Sequence, residues 1–91
     1  MSKSEVRDGA INVITAIGNP ELEALISRTL FNSGNDIRLR AISFDEVIKF
    51  CEVDVSENER WVIVASSDLL GFNHREFIAL QHESLTCVLL D

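Results

Sequence analysis

Ninety-one residues allow one small domain at most. A composition of 46% hydrophobic and 25% charged residues is that of an ordinary globular chain, and no apolar run approaches the ~20 residues of a membrane span. The net charge is −7 and the eight Lys and Arg are scattered, which argues against the clustered basic stripe of a nucleic-acid surface and against an anionic lipid surface.

The first ten residues, MSKSEVRDGA, are polar and mixed in charge and do not form a signal peptide. They are expected to be a disordered lead-in, with one α/β domain over 11–91 and a cytoplasmic location. Cys51 and Cys87 each sit in an apolar pattern, and without a secretory signal they are expected to be reduced core thiols.

The run INVITAI predicts a central strand over 11–17, covered on both faces. Asn19 as cap, Pro20 at the first helical position and Glu21 and Glu23 near the positive helix end predict a helix start. Leu22, Leu25, Ile26, Thr29 and Leu30 form its expected buried stripe, and Gly34 its stop. A second strand is predicted over 37–42. There Ile37, Leu39 and Ala41 alternate with Arg38 and Arg40, the pattern of an edge strand with one wet face.

Ser43 and Glu46 have the spacing of a capping box, with Ile42 and Val47 as its staple. Phe44, Val47, Ile48 and Cys51 are then the buried face of a second helix. WVIVA predicts a third strand over 61–65. Asn73 with Glu76, and Phe72 with Phe77, repeat the cap and staple before a third helix through HREFIALQHE. LTCVLL predicts a fourth strand over 85–90.

The order β-α-β-α-β-α-β predicts a parallel sheet with helices on both faces. With the amphipathic second strand at an edge, the sequence fits a flavodoxin-like, receiver-like order 2-1-3-4, truncated after the fourth strand. The fifth strand and last helix of such a fold are missing from this sequence. The chain is therefore expected to be part of a longer protein, or to be completed by a partner. The edge and face of the fourth strand, Leu85, Cys87, Val88, Leu89 and Leu90, are the expected contact, with a homodimer as one solution.

Small-molecule binding, if it occurs, is expected at the strand C-termini, at Gly18, Asn19, Ser66, Ser67 and Asp68. GNPELE is a poor phosphate loop: it has one Gly, a Pro without an N–H and two carboxylates. Glu21 and Glu23 could hold Mg²⁺, but acidic first-turn residues are ordinary helix stabilisers. Ser66 has no neighbouring base in the pattern of a hydrolase elbow. His74 and His82 fall on the predicted third helix, and the Cys and His spacings do not suit zinc. No catalytic residue, metal or cofactor is expected.

The arrangement resembles a response-regulator receiver domain over about four fifths of the chain. The resemblance implies an acidic pair after the first strand and a phosphorylated Asp ending the third. Here Gly18-Asn19 replaces the pair, Ala65-Ser66 occupies the acceptor region, and Asp68 comes about three residues late, so the expected form is a pseudo-receiver. NPELEALISRTLFNSG followed by RWVIVASSDLLG is similar to the N-terminal segment of MinD/ParA-like ATPases, including pilus-assembly localisation and septum-site-determining proteins. That similarity implies a non-catalytic localisation or partner-binding domain. The alternative is a small regulatory domain that binds a nucleotide or metabolite at the strand ends.

Overall fold

A computed structural model describes residues 11–55 and 58–90. The predicted lead-in over 1–10 lies outside these residues. The elements are β1 (Asn12–Ala16), α1 (Pro20–Asn32), β2 (Asp36–Arg40), α2 (Phe44–Val53), β3 (Trp61–Ser66), α3 (His74–Ala79) and β4 (Leu85–Leu90). The four strands form one all-parallel sheet in the order β2-β1-β3-β4. No described helix is long and apolar enough to cross a membrane.

β-branched and apolar runs place β1 and β3 at the centre, where every residue of β1 is buried. The helices divide between the two faces. Phe44 and Val47 of α2 and Phe77 of α3 pack with Ile14, Trp61, Ile63 and Leu85 on one face. Ile26 and Leu30 of α1 pack with Val13, Ile17 and Val64 on the other. The chain steps from β1 to β2 in one direction and from β2 through β3 to β4 in the other. Helices on opposite faces therefore give all three crossovers the same hand.

The caps form in different ways. Asn19 Oδ1 accepts from the Glu21 and Leu22 amides at 2.9 and 3.1 Å, and Asn73 Oδ1 accepts from the Glu76 amide at 2.9 Å. Gly34, at φ +87°, ends α1 as a left-handed residue. Phe72 and Phe77 meet with ring centroids 5.4 Å apart. Ser43 caps α2 by position but makes no side-chain cap bond. Glu46 Oε1 instead accepts from the Ile42 amide at 2.7 Å. Ile42 is 80% exposed while Val47 is buried, so the expected staple does not form.

Three local expectations are corrected. β2 does not alternate simply: Val13 pairs with Ile37 and Ile14 with Leu39, leaving Arg38 as an extra residue in a bulge. Ile37 consequently packs on the α1 face, whereas Leu39 packs on the other. The fully buried positions of α1 are Glu23 and Ser27; of the expected stripe Ile26 and Leu30 pack half-buried against the core, whereas Leu22, Leu25 and Thr29 are exposed. Finally, α3 ends at Ala79, so His82 lies beyond it. The chain there is already turning into β4, with the His82 amide donating to the Leu85 carbonyl at 3.0 Å.

Candidate functional site

At the C-terminal ends of β1 and β3 the expected residues Gly18, Ser66 and Asp68 are brought together. The Gly18 N–H donates to Ser66 Oγ at 2.9 Å, and Ser66 Oγ donates to Asp68 Oδ1 at 2.5 Å. Ser66 is buried because it ends a central strand, while Asp68 stands exposed in the following turn. A Cβ on Gly18 would lie 2.6 Å from Asp68 Oδ1 and 2.7 Å from the Asp68 carbonyl oxygen. Glycine is thus required by close approach. These two bonds tie the β1–α1 turn to the end of β3. Asn19 is committed to its helix cap, and Ser67 is exposed beside the latch.

One strand over, a charged network emerges that the sequence did not announce. Arg40 of β2 holds Glu23 of α1 by two bonds, Nε to Oε2 at 2.8 Å and Nη2 to Oε1 at 2.6 Å. The hydroxyls of Thr15 and Ser27 also donate to Oε2, at 2.8 and 2.7 Å. The Arg40 guanidinium holds the Glu23 carboxyl well below its usual range, at about 2; burial opposes this and the two hydroxyls reinforce it. Glu23 in turn raises the Arg40 pKa. A carboxylate held by four donors is an anchor for α1.

This network forms one wall of an open cavity of about 530 Å³ lined by Ile17, Gly18, Pro20, Glu23, Arg40, Ala41 and Ile42. Its volume falls in the range of small-molecule sites. It shares only Gly18 with the residues expected from sequence. Arg40 was legible merely as a wet-face residue, and Glu23 as a helix-end charge or, with Glu21, a magnesium ligand. The one available signal was an acid and a base on the successive elements α1 and β2.

Among the described residues no group of three or more His, Cys, Asp or Glu side chains could hold a metal ion. Cys51 and Cys87 are free and half-buried. Burial pushes the Cys51 thiol up to about 11, with nearby Cys87 and Glu52 adding to the effect, and burial also raises Cys87. Both thiols are held in the protonated, weakly nucleophilic form.

The expected contact residues of β4 divide between faces. Leu85 is buried in the core, and Cys87 and Leu89 pack partly against the same cluster. Val88 is 38% exposed on the α1 face, and Leu90 is half-buried there. No family model, curated protein or solved structure matches the chain.

Proposed function

We propose that this chain is a non-catalytic interaction domain. It is a flavodoxin-like pseudo-receiver of the kind that precedes MinD/ParA-like positioning ATPases, and it serves localisation in the cytoplasm. The observation that carries this reading is the Gly18–Ser66–Asp68 latch. The polar groups at the strand ends, where a receiver would gather magnesium and phosphate, are bonded to each other. Strand order and the division of helices between the faces fit the same fold. A fluorescent fusion of this chain in its source cells tests the reading. A discrete focus at a pole or division site is expected; diffuse fluorescence at native expression would overturn it.

A second reading, a regulatory domain for a nucleotide or metabolite, is favoured by the cavity of about 530 Å³ beside Gly18 and Arg40. Titration with ATP, ADP and AMP, followed by amide chemical shifts, tests it. Saturable shifts at Ile17, Gly18, Arg40 and Ile42 would support this reading, and no shift with any of the three would count against it.

A further inference from the structure

α1 does not cover its face of the sheet evenly. One flank of the helix turns toward β2, where Ala24, Ser27, Arg28 and Phe31 line a hollow with Ile37 and Arg40. By helical spacing the opposite flank carries Leu22 and Ile26, with Leu25 at its margin, toward β3 and β4. Leu22 is 36% and Leu25 56% exposed. Beyond them, on the same side of the sheet, Val62 and Leu90 are half-buried and Val88 is exposed. Among the described residues no second helix packs on this side, although parallel sheets ordinarily carry helices on both faces.

The edge of β4 is less open than its face. The Trp61 N–H donates to the Ser84 carbonyl, so the amides of Leu85, Cys87 and Leu89 turn away from β3. Two of these three are already used: Leu85 donates to the His82 carbonyl at 3.1 Å, and Cys87 to Gln81 Oε1 at 3.2 Å. Addition of a further strand would have to displace both bonds. The uncovered strip is two strands wide, roughly 10 Å, which is the diameter of one helix. Leu22, Leu25, Ile26, Val62, Val88 and Leu90 along it are uncharged. Glu21 lies in the first turn of α1 and exposed Asp68 in the turn after β3, both at the end of the sheet where the strands finish, on a chain of net charge −7.

We infer that this strip is a docking groove for an amphipathic helix of a separate protein, with a leucine-rich face and a lysine- or arginine-bearing rim. The inference rests on the interaction-domain reading and names where and what it binds. The apolar face would bury the strip beside α1, and the basic rim would meet the acidic surroundings. Charge complementarity selects a basic helix over a second copy of this acidic chain.

The test uses the full 91-residue chain and a designed helical peptide of about 18 residues, with leucines at i, i+3, i+4 and i+7 and lysines flanking them. Methyl chemical shifts are followed, with a glutamate-flanked peptide as comparison. Saturable shifts are expected at Leu22, Leu25, Val62, Val88 and Leu90. Val88→Lys should weaken binding at least about tenfold, and so should the glutamate rim, whereas Leu70→Lys on the loop after β3 should leave it unchanged. No saturable shift up to about 1 mM peptide would overturn the groove, as would shifts confined to Ile42 and Leu70. So would a dimer, seen by light scattering, that protects the same methyls without peptide. A Val88→Lys fusion that still forms a focus in cells would reject the groove while leaving the interaction reading intact.

Discussion

Arg40 and Glu23, seventeen residues apart, are joined by two parallel hydrogen bonds that fasten α1 to the edge strand β2. Glu23 titrates at about 2 in the folded chain against an ordinary 4.5. A depressed folded value means that its contribution to stability is complete above the ordinary value. It is lost as pH falls from about 4.5 toward about 2. Arg40→Ala should lower the stability at neutral pH, since the Glu23 carboxylate then keeps only two hydroxyl donors. The deficit relative to wild type should shrink through that acid window. Urea unfolding at pH 7 and pH 3 checks both statements; a deficit unchanged by acid would show that the pair is not what stabilises α1.

Gly18→Ala should destabilise the fold by about 1–3 kcal/mol, because the added methyl meets Asp68 at three atoms, two of them backbone. The contact at 2.7 Å is with the backbone carbonyl. Asp68→Ala should therefore fail to rescue the substitution in a double-mutant cycle followed by chemical denaturation. Full rescue would place the whole clash on the carboxylate.

The sheet order was legible because Arg38 and Arg40 mark β2 as an edge and the runs of β1 and β3 are continuously apolar. The caps at Asn19 and Asn73 were legible because both are local, spanning three residues or fewer. The candidate site was legible as a place, the strand ends at Gly18 and Ser66, but not as a set of contacts. Glu23 faces inward to Arg40 and Thr15, which reach it from other elements, whereas helical periodicity alone prefers Leu22 and Leu25. The bulge at Arg38 depends on pairing with β1, which no pattern within β2 reveals. Long-range partners overrode local pattern at each of these points.

No stable phosphorylation is expected from acetyl phosphate, and no magnesium-dependent beryllofluoride binding. Gly18-Asn19 supplies no carboxylate after β1, and the Asp68 carboxylate accepts from Ser66 Oγ. Magnesium sites at phosphate centres need carboxylates alongside the phosphate oxygens. Intact mass after incubation with acetyl phosphate and magnesium checks this. A stoichiometric phosphate that disappears in Asp68→Asn would contradict the pseudo-receiver reading.

Two deletions one position apart in β2 should have opposite severity. Arg38 is the extra residue of the bulge, so removing it lets Ile37 and Leu39 pair in sequence with Val13 and Ile14. What is lost is the guanidinium over the Trp61 ring, 5.6 Å from its centroid, and the bond to Asn12 Oδ1 at 3.1 Å. That should cost about 1–2 kcal/mol. Removing Leu39 instead draws Arg38 into register with Ile14, on the face where Leu39 packs against the core. Leucine packing is then replaced by a guanidinium that must reach past the sheet edge to water, and about 2–4 kcal/mol should be lost. Thermal unfolding of the two deletion variants measures the difference. Equal destabilisation would show that the bulge is not confined to Arg38 and that the register of β2 is set elsewhere.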